Sequence, residues 1–150
     1  MSGLKSGARR RPLPVPTRET RPFWQSASRG VLALPQCVSC GALLYPPPPR
    51  CPHCLKDELR WTDLPGKGRL VSWATIRTDL SAGIEPPFTM AEIELVEQAD
   101  LIVVGLLVGT AADDLRAGVS VRVTFAPSRA EDIAYPQFEV DEAEASGKRS

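Results

Sequence analysis

"CVSCGALLYPPPPRCPHC", residues 37–54, holds every cysteine in this chain of 150 residues. Two Cys-x-x-Cys pairs, Cys37/Cys40 and Cys51/Cys54, stand ten residues apart with four prolines between them. Each pair can turn two thiolates toward one ion, and two such knuckles complete a tetrahedron. Zinc is the default ion because it accepts four thiolates and needs no redox partner; iron uses the same ligand set and stays open. A thioredoxin-type redox pair is disfavoured, since there are two pairs and no βαβ pattern around either. Four thiolates leave no coordination position for a water, so the reading is a structural site, not a catalytic one. His53, the only histidine, lies inside the second knuckle and is read as solvated. Gly41 gives the first knuckle a permissive backbone, whereas Leu55 follows the second.

Outward from the knot, Leu34 to Cys37 and Leu59 to Thr62 read as short strands, with Pro46 to Pro49 as an extended run stiffening one of them. Thr20 is placed to cap a short helix ended by Gly30, with Pro22 in its first turn and Phe23 and Trp24 as its anchors. After Leu64 the texture becomes β-rich. "GRLVSWATIRT" (68–78), "FTMAEIELVEQ" (88–98), "LIVVGLLVG" (101–109), "VSVRVTF" (119–125) and "QFEV" (137–140) read as strands, and "ADDLRAG" (112–118) as one or two helical turns. The expected fold is mainly β: a short N-terminal helical segment, a zinc ribbon and a small five-stranded barrel with the layout of an OB-fold. The boundaries are a flexible basic arm over 1–19, the helix over 20–30, the ribbon over 31–62, the OB-fold over 63–140 and a flexible tail over 141–150.

Composition bounds the function. An apolar fraction of 43% supports a core, and zero net charge gives no pull toward polyanions. The arm is basic all the same, with Lys5, Arg9, Arg10, Arg11 and Arg18 against Glu19 alone. No apolar segment follows that basic start, and the longest apolar run, Leu101 to Gly109, is far short of the roughly 20 residues that span a bilayer. A cytoplasmic location is expected, where thiols stay reduced.

No Gly-x-Ser-x-Gly, Walker or dinucleotide motif is present. Gly66-Lys67-Gly68 reads as a turn, and Glu92 and Glu94 as the solvent side of a strand. Nucleic acid is a poor partner: residues 78–115 contain no Lys or Arg and eight carboxylates. The strand after Leu101 is apolar on both faces. Leu101, Val103 and Leu107 share one; Ile102, Val104, Leu106 and Val108 share the other, which needs a cover from the helix or from a partner protein. An alternative function is direct acyl-CoA binding, with Arg50, Arg60, Lys67 or Arg69 near the ribbon–barrel junction holding the phosphates.

Six blocks in this order, "RPFWQSASRG", "LPQCVSCGALLYPP", "RCPHC", "WTDLPGKGRLVSWATI", "PPFTMAEIEL" and "LRAGVSVRVTF", resemble the DUF35 family of zinc-ribbon, OB-fold proteins. Glu97-Gln98-Ala99-Asp100 stands where the family often has a glycine, and Leu55 replaces the usual glycine after the second knuckle. The resemblance implies a rubredoxin-like ribbon with the four cysteines as zinc ligands. It also implies assembly with a thiolase-like enzyme of acyl-CoA or polyketide metabolism; with the closed four-thiolate site, the missing catalytic set and the doubly apolar strand, the expected role is that of a non-catalytic accessory subunit. It carries over no catalytic residue.

Overall fold

The structure, a computed structural model, describes residues 11–79 and 83–142. Helix α1 spans Arg21–Ser28. Its buried residues are Phe23, Ser26 and Ala27, the i, i+3, i+4 spacing of one helix face. Gly30 stops it with φ +77°: its N–H donates to the Ala27 carbonyl and that of Val31 to the Ser26 carbonyl, which satisfies the last turn. Thr20 departs from expectation. Its hydroxyl makes no cap bond to the helix and instead accepts the Thr17 N–H at 2.8 Å, so the helix is entered through a preceding turn.

The ribbon consists of strands β1, Leu32–Cys37, and β2, Leu59–Leu64, paired antiparallel from Leu32 opposite Leu64 to Cys37 opposite Leu59. Both are longer than the sequence pattern suggests, because β2 runs straight on toward the barrel. The proline run stiffens neither strand; Pro46 to Pro49 lie in the loop between the knuckles, entered by a cis Tyr45–Pro46 peptide.

The remaining strands are β3, Lys67–Ile76; β4, Phe88–Leu95; β5, Ile102–Val108; β6, Ser120–Pro127; and β7, Ala134–Val140. They close a barrel in the order β3-β4-β5-β7-β6, with β6 pairing back to β3. Every pairing is antiparallel except the short parallel contact of β5 with β7 at Leu107 and Val108. Two devices bend β3 around. A register shift between Leu70 and Ser72 throws Val71 outward. At Gly68 a Cβ would lie 2.6 Å from the Glu94 carbonyl oxygen, so only glycine allows the two strands to approach there. The expected helix after β5 is reduced to one 3-10 turn, Ala112–Asp114, and the chain is extended again at Leu115.

Ribbon and barrel share one core. Leu32, Leu34, Leu43 and Leu64 from the ribbon and Phe23 from α1 join Leu70, Ile93, Leu95, Val103, Val121 and Phe138 in a single buried cluster. A polar clamp reinforces it. The Leu43 N–H donates to Gln98 Oε1 at 2.8 Å, and Gln98 Nε2 donates to the Leu43 carbonyl at 2.9 Å. Gln98 sits in the β4–β5 turn, where Asp100 takes φ +64° and donates its N–H to Glu94. Within the Glu97-Gln98-Ala99-Asp100 turn it is Gln98 that grips the ribbon.

The chain is held against the barrel at Arg11 and Pro12. Tyr135 donates its hydroxyl to the Pro12 carbonyl at 2.8 Å, Arg129 donates to the Arg11 carbonyl at 3.0 Å, and the Arg11 guanidinium lies over the Tyr135 ring, 3.7 Å from its centre. Residues 1–10 and most of the tail, 143–150, lie outside the described residues.

Truncating the clamp leaves both polar groups of Leu43 without partners in a buried place. Gln98→Ala is expected to cost about 2 kcal/mol in chemical denaturation, with zinc content unchanged. A loss below the error of that measurement would show the clamp to be redundant.

Candidate metal centre and docking surface

The two knuckles are copies of one backbone design, fourteen residues apart. Cys37 donates its N–H to the Ala42 carbonyl and Cys51 to the Lys56 carbonyl, each at 2.9 Å. Gly41 and Leu55 donate back to the Cys37 and Cys51 carbonyls, each at 2.8 Å. Closing these turns needs a left-handed residue at the fifth position, and both take it, Gly41 at φ +80° and Leu55 at φ +66°. Glycine does so freely, whereas an L side chain costs roughly 1–2 kcal/mol there. Leu55 therefore adopts a glycine-like geometry at a cost, and its side chain is 67% exposed.

The turns bring the four sulfurs within 4.8 Å of one another. Cys37 and Cys54 are 3.5 Å apart and Cys40 and Cys51 3.6 Å. A disulfide would need about 2 Å, whereas Zn–S bonds of about 2.3 Å set tetrahedral edges near 3.8 Å. The quartet fits a four-thiolate metal site. Cys37 and Cys51 are buried, Cys54 partly so, and Cys40 faces solvent. His53 is exposed and stands outside the ligand cluster.

Four thiols this close cannot all ionise unless a cation separates them. The Cys40 N–H, bonded to the Cys37 sulfur at 3.4 Å, pulls the Cys37 thiol down to about 6. At Cys40 an N–H from Ala42 works to lower the thiol, but burial and the surrounding sulfurs outweigh it and push it up to about 11. Cys54 is likewise raised: the Lys56 N–H lowers it, and Cys37, burial and Cys51 more than offset that. At neutral pH the negative charge collects on Cys37, and Cys40 and Cys54 hold protons that a metal must displace.

The other sequence candidates are placed as follows. Arg50, Arg60, Lys67 and Arg69 are all exposed and make no ion pair among the described residues. They lie on three stretches of chain: Arg50 in the knuckle loop, Arg60 on β2, and Lys67 and Arg69 on one face of β3. The structure divides the outer face of β5. Val104 is 52% exposed and Ile102 and Val108 are half-buried, but Leu106 is only 7% exposed and lines an apolar cavity with Phe23 and Trp24. Leu106 is therefore not part of the open surface. Glu92 accepts the Ser72 hydroxyl at 2.7 Å and Glu94 the Asp100 N–H at 2.8 Å, so both carboxylates hold backbone or strand neighbours. No helix among the described residues is long and apolar enough to cross a membrane.

Two partnerships escaped the sequence pattern. Nothing periodic links Gln98 to Leu43, 55 residues away, and nothing links Arg11 to Tyr135 across most of the chain.

Residues 24–60 match the family model for the ChsH2 rubredoxin-like zinc ribbon domain, and residues 61–126 that for the ChsH2 C-terminal OB-fold domain. Among solved structures, the chain is similar to a chain of the Ltp2–ChsH2(DUF35) aldolase. The two are 27% identical with a TM-score of 0.76, over 85% of this chain and 98% of that one. It also shares its fold with a DUF35-family protein of unknown function from Sulfolobus solfataricus, at 14% identity and a TM-score of 0.59, over 84% of this chain and 87% of that one. No curated protein matches the sequence. Sulfur geometry and ribbon type together identify the cofactor as structural zinc.

Two outcomes follow from the geometry. Zinc uptake at pH 7 is expected to release at least two protons per ion, those of Cys40 and Cys54, read with an indicator dye in weak buffer. Because protons and metal compete, the apparent zinc affinity falls as pH falls, by at least about a hundredfold per pH unit. The proton of Cys37 joins the competition below about pH 6. In the second knuckle, Leu55→Gly removes the left-handed penalty less the glycine's own chain entropy, a net gain of about 1 kcal/mol. Slower zinc loss to a competing chelator would register it.

Proposed function

Because this chain belongs to the DUF35 family, with a ChsH2-type zinc ribbon joined to a ChsH2-type OB-fold barrel, we propose that it is a non-catalytic subunit that docks onto a thiolase-like enzyme. The observation that carries this reading is the likeness, along nearly the whole of the matched chain, to a component of an aldolase named for two proteins, Ltp2 and ChsH2. A thiolase-like partner is what the DUF35 resemblance implies. The metal is saturated by four cysteines and has no position for a substrate. The one histidine faces solvent away from it, and the paired carboxylates of β4 are occupied by structural bonds.

The docking face includes the open part of β5. Val104 stands exposed between half-buried Ile102 and Val108 on a strand whose neighbours are well covered. An apolar residue held out on a rigid sheet is well placed to enter a partner's surface.

Purification of the tagged full chain from its native host is expected to recover a thiolase-like protein in near-equal amount. Val104→Asp, at an exposed position where the fold tolerates charge, is expected to reduce that recovery about tenfold with zinc content intact. Recovery of the chain alone under gentle conditions would overturn the docking reading. Full recovery with Val104→Asp would move the contact off β5.

A further inference from the structure

Arg11 is the least comfortable charge in the described structure. Burial pulls its guanidinium below the ordinary arginine value, and no carboxylate lies against it to compensate. Its ring contact with Tyr135 holds one face of the guanidinium. Its backbone carbonyl is bonded by Arg129, but its own side-chain N–H groups, five in an arginine, donate to nothing among the described residues. A half-buried cation with unused donors calls for an anion.

The same residue stands between two cavities. One, of about 250 Å³, lies among α1, β5 and β7 and is walled by Phe23, Trp24, Met90, Leu106 and Phe138. The other, of about 260 Å³, is walled by Ala126, Pro127, Ser128 and Arg129 at the β6–β7 turn. Arg11 and Tyr135 line both. Among the described residues neither cavity has a carboxylate in its wall; Glu131 and Asp132, in the same turn, are exposed and line neither. The apolar compartment has room for roughly eight water-sized groups at ~30 Å³ each. It is a concave apolar space with a few convergent polar groups at its mouth, the usual form of a small-molecule site.

We infer that the Arg11–Tyr135 corner binds a small aliphatic carboxylate, its chain among Phe23, Trp24, Met90 and Leu106 and its carboxylate on the guanidinium of Arg11. The site is separate from the exposed basic residues Arg50, Arg60, Lys67 and Arg69 and from the metal. Val104, the proposed docking residue, also lines this compartment, so binding is measured on the chain without a partner, where its failure says nothing about docking. Seating the carboxylate on Arg11 uses donors that otherwise stay unpaired, and the fork of a guanidinium matches two carboxylate oxygens. Tyr135, fixed by its bond to Pro12, keeps the guanidinium in place.

Calorimetry on the zinc-loaded full chain tests this with three probes: octanoate, octanol and acetate. Octanoate is expected to bind at least tenfold more tightly than octanol, which lacks the charge, and acetate, which lacks the chain, is expected to give no heat. Arg11→Met should weaken octanoate about tenfold and leave octanol unchanged. Met90→Trp, which fills the apolar compartment, should abolish binding of both, with retained zinc content as the control for folding. Equal affinity for octanoate and octanol, no effect of Arg11→Met on octanoate, or no octanoate heat at millimolar concentration would each overturn the assignment.

Discussion

The ribbon has almost no core of its own. Apart from the sulfurs, the buried cluster at its tip contains only Leu44, with Ala42 and Leu59 packed at its margin. A segment this small cannot bury enough apolar surface to hold two knuckles and a proline loop in one shape. Tying four thiolates to one ion supplies what packing does not, since structural zinc sites contribute directly to folding free energy. The effect reaches beyond the ion. Leu43 and Leu44 are adjacent and face opposite ways, Leu44 into the sulfur cluster and Leu43 into the core shared with the barrel. The ion fixes one residue and thereby presents the other, together with the backbone groups that Gln98 grips.

That arrangement makes the usual description of two joined domains incomplete. The family models divide the chain between residues 60 and 61, within β2. The core does not divide there. Leu32, Leu34 and Leu64 pack in the same cluster as Ile93 and Phe138, and β2 leads through a two-residue turn into β3. Rigid coupling suits a subunit that works by contact, because surfaces on ribbon and barrel then keep a fixed relation to one another.

The sequence was most legible where local chemistry decides the structure. Cysteine spacing announced the metal site, but Leu55 in place of a glycine made the second knuckle look less regular than the first, whereas it takes the same positive φ as Gly41. Strand alternation was readable in β4, whose residues from Phe88 to Leu95 alternate between buried and less buried without exception. It failed in β5, where both faces are apolar. No pattern within that strand separates Leu106, which is buried, from Val104, which is exposed, although both line one cavity. Thr20 misled for a related reason: its residue type suits a cap, but a nearer partner in Thr17 takes its oxygen.

The arm shows the same limit from the other side. Arginine- and proline-rich composition reads as a solvated segment because composition contains no information about a receiving surface. Tyr135 provides that surface. Its ring meets Arg11 and its hydroxyl meets Pro12, so one side chain uses both its apolar and its polar end to hold two consecutive residues. Once the chain is pinned there, a cation that would otherwise be hydrated is held at the mouth of an apolar space. Burying that charge has a cost, and ribbon and barrel are already joined by the shared core and the Gln98 clamp, so the fold does not need Arg11 in this place. A cation whose side-chain donors bond nothing among the described residues is better explained by something it meets from outside.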